Sequence, residues 1–226
     1  IPHFSTEKGV LAVGRPHTGG QFARRVATLN AQLELEITYA EREDAVVGPL
    51  RGCDAVEGDF RLTRDGIIVC IHDANTQRTT GIDKEISEVS FSSLQKLDFG
   101  AWKDARFAGE ACPTIDEVLA TVPPHRHIFI ELQTGPEIIQ PLKTSLHKSS
   151  LLKEQIILIT FNKETANQCK RFLPEYRLHW LTEFQRLENK PNSWFPSAKE
   201  LATTAHGIGA DGGGLQAKRH AVTQQL

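Results

Sequence analysis

Asp54-Ala-Val-Glu-Gly-Asp-Phe-Arg-Leu-Thr-Arg-Asp-Gly-Ile-Ile-Val-Cys-Ile-His-Asp73 is a pair of apolar-rich runs broken at Asp65-Gly66. Asp-Gly between two such runs is a strong hairpin signal, because a two-residue primed turn needs positive φ and Gly supplies it without steric cost. That turn puts Arg64 opposite Ile67. Counting outward sets Asp59 opposite His72, with Cβ atoms roughly 5 Å apart. Glu57 and Asp59 are two residues apart on one strand and share a face. One hairpin therefore gathers two carboxylates and an imidazole, the raw material of metal-assisted hydrolysis. The competing reading is structural: strands often end in acidic residues, and a His-Asp pair often does no more than satisfy a turn.

From this stretch onward, strands alternate with helices. Further β-rich runs occupy His127–Leu132, Gln155–Phe161 and Tyr176–Leu181, with a weaker one near Ile208–Leu215. Ile128-Phe-Ile130 and Ile156-Ile-Leu-Ile159 are apolar on both faces, as buried parallel strands are. Capping boxes at Thr114-Ile-Asp-Glu117 and Ser197-Ala-Lys-Glu200 open two helices, and Pro136–His147 and Asn162–Phe172 carry two more helical patterns. The alternation predicts an α/β fold with a mostly parallel sheet, either doubly wound or closed into a barrel. Residues 74–112, with Gly81, Gly100, Gly109 and the Ser-rich Ser87–Ser93, form an excursion between strand and helix. Gly212-Gly-Gly214 is too isolated for a phosphate loop and is expected to be a strand-end turn.

Composition sets the outer limits. The chain has 226 residues, enough to bury a full core, and the length alone fits one domain as well as two; 26 basic against 28 acidic residues leave a net charge of −2. No field favours nucleic acid or an anionic membrane. No apolar run reaches the ~20 residues of a membrane span. Cys53, Cys70, Cys112 and Cys169 lack C-x-x-C spacing and are expected to be small buried apolar residues. The opening Ile1-Pro-His-Phe-Ser-Thr-Glu-Lys8 shows no signal peptide, which favours the cytoplasm over secretion. A chain that begins with Ile is expected to be trimmed, however, and an address can be lost with the missing residues.

In order and spacing, Glu57-x-Asp59, Leu62-Thr-Arg-Asp-Gly66, Val69-Cys-Ile-His72-Asp73, Arg78-Thr-Thr-Gly81, Pro113-Thr-Ile-Asp-Glu-Val118 and Ile128-Phe-Ile-Glu131 resemble the glycerophosphodiester phosphodiesterase family over roughly residues 52 to 216. The resemblance implies a TIM (β/α)8-type barrel with the family insertion after the second strand and an active site at the carboxyl ends of the strands. It implies hydrolysis of glycerophosphodiesters to glycerol phosphate and an alcohol, aided by a divalent cation, Ca²⁺ or Mg²⁺. Glu57, Asp59 and Glu131 match the family's metal carboxylates, hard donors for a hard dication. His72 matches the second of its two histidines, expected to protonate the leaving oxygen. The attack on phosphorus is by the neighbouring glycerol hydroxyl or by water, aided by the other histidine. Trp180 falls at an aromatic position that either walls the glycerol side or packs the barrel.

The departures from the family pattern are equally specific. His-Arg-Gly on the first strand is replaced by Leu11-Ala-Val-Gly-Arg-Pro-His17, where Arg15 is the candidate remnant of the arginine and His17 a candidate base. The Glu-Asn-Thr position falls near Tyr39-Ala-Glu41 without a match, and residues 1–50 as a whole are atypical. The family's Glu-x-Lys is Glu131-Leu-Gln133, so Gln133 offers the phosphate a hydrogen bond but no charge. About six of eight strands can be drawn, and the last two strand-helix units are absent. The expectation is an incomplete barrel, with oligomerisation as one way to cover its edges, or a barrel completed by residues beyond this sequence.

Two function classes follow. One is a metal-dependent phosphodiesterase acting on small glycerol-based diesters. The other is an impaired relative that binds a cation or a phosphodiester without efficient turnover. Barrel phospholipases are a third, weaker match, because no aromatic or basic membrane-seeking segment is present.

Overall fold

The computed structural model describes residues 27–29, 35–37, 55–183, 185–186 and 194–215. Its strands are β1 (Ala27–Leu29), β2 (Leu35–Ile37), β3 (Ala55–Leu62), β4 (Ile68–Cys70), β5 (His127–Leu132), β6 (Ile156–Thr160), β7 (Arg177–Thr182), β8 (Gln185–Arg186), β9 (Trp194–Phe195) and β10 (Gly212–Leu215). Helices are α1 (Gln77–Thr80), α2 (Phe91–Leu94), α3 (Ile115–Thr121), α4 (Ile139–Lys148), α5 (Lys163–Phe172) and α6 (Ala198–Ile208).

The main sheet runs β10-β7-β6-β5-β3-β1-β2, with β4 hairpinned onto β3. From β1 through β3, β5, β6, β7 and β10 every neighbour is parallel and follows in chain order. A doubly wound sheet would reverse that order at a switch point. Successive parallel neighbours instead trace the wall of a barrel. Among the described residues the wall has two ends, at β10 and at β2, which pairs antiparallel with β1.

Period-two alternation sorts the side chains into two layers. Val56, Phe60, Ile128, Ile130, Leu158 and Leu178 face outward and share a core with Val118, Leu142 and Ala166 of the helices. Ala55, Phe129, Ile157, Ile159 and Leu181 form a smaller inner cluster. The strands are buried on both faces because helices cover one side and the barrel interior the other. The helices begin where their caps dictate. Thr114 and Ser197 each complete a capping box, with Glu117 and Glu200, and the Asn162 side chain accepts from the Thr165 amide.

The excursion after β4 is ordered by a core of its own. Ile86, Leu94, Phe99 and Cys112 pack against Val69 and Ile71. This cluster fixes the insertion to the back of the hairpin. Gly100 lets the insertion close on itself, since a Cβ there would lie 1.8 Å from the Phe107 carbonyl oxygen. Cys70, Cys112 and Cys169 are buried and free, as the buried-apolar reading expects, while Cys53 lies outside the described residues.

Two local expectations are corrected. The hairpin closes on Thr63 and Ile67 around three residues, Arg64-Asp-Gly66, rather than two: Leu62 faces Ile68, the Thr63 amide donates to Ile67 O, and the Gly66 amide donates to Thr63 O. Gly66, at φ 79°, supplies the left-handed residue of this longer loop. The Asp65 carboxylate stays out of a primed turn because it accepts from the Thr63 hydroxyl at 2.7 Å and from the Phe91 amide at 2.9 Å. The register therefore shifts by one, and Asp59 stands opposite Ile71, whose amide donates to Asp59 O. The second correction concerns Gly212-Gly-Gly214, which is a strand and not a turn. A Cβ at Gly212 would meet the His179 ring at 2.7 Å, and one at Gly214 would meet Leu181 at 2.3 Å, so β10 pairs with β7 where side chains would not fit.

Candidate functional site

Parallel register builds the site. On β3, Glu57 and Asp59 point inward between the outward-facing Val56 and Phe60. Asp59 is the register partner of Glu131 on β5. One oxygen each from Glu57, Asp59 and Glu131 lies within 4.8 Å of the other two. Glu57 and Asp59 are buried and Glu131 is half-buried.

Burial makes this convergence electrostatically costly. Desolvation, with the Asp59 charge beside it, pushes the Glu131 carboxyl up to about 8. Desolvation likewise raises Asp59, and the hydrogen bond from Gln133 and the nearby charges of His72 and Arg61 offset it only in part. Three inward-facing carboxylates on rigid strands are the donor set of a hard dication, whose charge would reverse this penalty. The residues present therefore fit the implied metal.

Gln133, one residue beyond β5, sits among them. Its Nε2 donates at 2.7 Å to Asp59 Oδ1 and at 2.7 Å to Glu131 Oε1. Its Oε1 faces Arg61 Nη2 at 3.5 Å, and a guanidinium only donates, so the amide turns its NH2 to the two carboxyl groups. Arg61 continues the network, donating from Nη1 to Gln133 O at 3.3 Å and from Nε to His72 O at 2.9 Å. One guanidinium thus ties the end of β5 to the His72 backbone.

His72 follows β4 after Ile71. Its Nδ1 lies 2.8 Å from Asp73 Oδ1, and Arg78 Nε donates to Asp73 Oδ2 at 2.6 Å. Trp180 is placed elsewhere. It belongs to the outward core shared with the helices, its Nε1 donates to Phe161 O at 3.3 Å, and the Lys163 ammonium sits over its ring. Its packing reading is the one this position supports. Arg15 and His17 lie outside the described residues.

Several inward groups escaped the sequence reading. His179 on β7 lies in the same register layer as Asp59, Glu131 and Ile159, and its ring meets Phe129 edge-on at 6.1 Å. Arg61 shares the inward face of Asp59, two residues on, and that spacing was a usable signal. Asp73 and Arg78 lay within the quoted motifs, but their pairing needs the fold of the insertion.

The sequence model of the Glycerophosphoryl diester phosphodiesterase family matches residues 50–211. The chain belongs to this family. Glycerophosphodiester phosphodiesterase of Bacillus subtilis (strain 168) is 27% identical over 174 residues, covering 70% of this chain and 58% of that protein. The enzyme of the same name from Caldanaerobacter subterraneus subsp. tengcongensis is 29% identical over 131 residues, covering 56% of this chain and 54% of its own. The chain thus spans little more than half the length of these curated relatives. Among solved structures, an Oleispira antarctica phosphodiesterase in complex with the product sn-glycerol-3-phosphate superposes with a TM-score of 0.63 at 23% identity, covering 72% of this chain and 63% of that one. That likeness concerns the fold, and with the family match it identifies the parallel wall as part of a TIM-type barrel.

Proposed function

We propose that this member of the glycerophosphoryl diester phosphodiesterase family hydrolyses small glycerophosphodiesters to glycerol phosphate and an alcohol, with a divalent cation held by Glu57, Asp59 and Glu131. The observation that carries this reading is the convergence of those three carboxylates within 4.8 Å on the inward faces of the paired strands β3 and β5. All-oxygen, all-carboxylate donors favour Ca²⁺ or Mg²⁺ over softer metals. When bound, the cation polarises the phosphoryl oxygen and neutralises charge on it.

The protein's own groups then have distinct tasks. An attacking oxygen forms the new P–O bond: water gives glycerol phosphate directly, whereas the neighbouring glycerol hydroxyl gives a cyclic phosphate that a water then opens to glycerol phosphate. The P–O bond to the alcohol breaks, its electron pair stays on the leaving oxygen, and His72 supplies the proton that makes it an alcohol. Gln133 and Arg61 hold the carboxylates and the His72 backbone in place. By the family resemblance, His17 is the candidate to take the proton of the attacking oxygen and Arg15 the candidate phosphate contact. Glycerol 3-phosphate, the product bound by the Oleispira antarctica phosphodiesterase, is the product expected here.

A second reading, binding without efficient turnover, is favoured by Gln133, which spends both amide hydrogens on the metal carboxylates and brings no cation to the phosphate. The deciding experiment is release of glycerol phosphate from glycerophosphocholine with Ca²⁺, with Mg²⁺ and with chelator. Cation-dependent release that falls about 100-fold or more in Glu57→Ala and His72→Ala supports hydrolysis. Cation binding without release supports the second reading. Full turnover in chelator contradicts both.

A further inference from the structure

A chain of contacts runs from His72 into the insertion. His72 Nδ1 lies 2.8 Å from Asp73 Oδ1. These side chains are sequence neighbours, and a short Asp side chain on an exposed turn needs an external partner to hold one rotamer. Arg78 on α1 supplies it, with Nε 2.6 Å from Asp73 Oδ2 and Nη2 3.3 Å from Asp73 Oδ1. Its fork grips both oxygens, which an ammonium at one point would not do. The guanidinium itself lies over the Trp102 ring, 5.1 Å from the centroid. Trp102 lies beyond α2, so the contact joins the start of the insertion to its far part.

The arrangement decides which imidazole nitrogen is available. A carboxylate only accepts, so Nδ1 carries its hydrogen toward Asp73 and Nε2 is the nitrogen left for the reaction. We propose that Arg78, braced on Trp102, is a positioning residue that locks Asp73 against His72 Nδ1 and so presents Nε2 of His72 to the leaving oxygen. The inference rests on the reading of His72 as the acid. It gives the insertion a task that its own core does not require: Ile86, Leu94 and Phe99 are buried without Arg78, whose side chain is 52% exposed.

Leaving-group dependence separates this role from a structural one. Glycerophosphocholine leaves as an alkoxide that needs a proton, whereas the p-nitrophenyl ester of glycerol phosphate leaves as a stable phenolate. His72→Ala is expected to lose about 100-fold or more in kcat on the first and little on the second. Arg78→Ala is expected to lose about ten- to 100-fold on the first and less than about threefold on the second. KM and Ca²⁺ affinity, the latter by calorimetry, should be unchanged. Equal losses on both esters, or none, would overturn the proposal for Arg78. If His72→Ala itself shows no leaving-group dependence, the acid reading fails instead. A readout without turnover completes the test: long-range ¹H–¹⁵N spectra should show His72 as the Nδ1–H tautomer in the protein and not in Arg78→Ala. The same tautomer in both would overturn the proposal whatever the turnover.

Discussion

Asp59 and Glu131 are direct partners in the parallel register of β3 and β5, and a single amide group, Gln133 Nε2, lies 2.7 Å from an oxygen of each. Two carboxylates on adjacent parallel strands repel, and a bridging donor between them relieves that repulsion while no cation is present. Gln133→Leu keeps the volume and removes the donors. The cation-free variant is expected to lose about 1–3 kcal/mol, the cost of leaving buried acceptors unsatisfied. Excess Ca²⁺ should recover much of the loss, so its stabilising effect in urea denaturation should be larger for the variant than for the parent. Equal effects would show that the amide does not serve the carboxylates.

Gly100 marks where the insertion closes on itself. Because its missing Cβ would overlap backbone, the Phe107 carbonyl oxygen, no side-chain rotation can relieve the clash. Gly100→Ala is expected to destabilise by about 1–3 kcal/mol or more. Thermal denaturation checks it, with Gly207→Ala as the control, since nothing lies within 4 Å of a Cβ there.

Asp65 couples the hairpin loop to α2. The Thr63 hydroxyl and the Phe91 amide hold its carboxyl below the usual range, with burial opposing them. The folded pKa is depressed, so the carboxylate's contribution is present above the unfolded value of about 3.9 and is lost as pH falls through the lower folded value. The side chain is exposed, so the contribution is small, under about 1 kcal/mol. The stability difference between the protein and Asp65→Ala is therefore expected to be constant from pH 7 to 5 and to shrink below pH 4. Growth of the difference on acidification would reverse the sign of this account.

Much of the site was legible in sequence because it lies on strands, where period two fixes the face. Glu57, Asp59 and Glu131 share the inward face whatever the loops do. The β3–β4 register was not legible. Asp65-Gly66 favours a two-residue turn locally, but the Phe91 amide, 26 residues away, captures the Asp65 carboxylate and the loop takes a third residue. Gly212-Gly-Gly214 was misread for a similar reason, since glycine reads as a turn until the His179 and Leu181 side chains that need its missing Cβ are in place. Trp180 could not be assigned a face from a motif position alone. The Asp73–Arg78–Trp102 contacts depend on the fold of the insertion, which carries little periodicity of its own.

Calorimetric titration of Ca²⁺, and separately of Mg²⁺, into chelator-treated protein shows whether Glu57, Asp59 and Glu131 hold a cation. One cation site is expected, weakened at least about tenfold in Glu57→Gln and in Glu131→Gln, because each change removes a ligand charge from the set of three. No binding by the parent, or equal binding by parent and both variants, would contradict it.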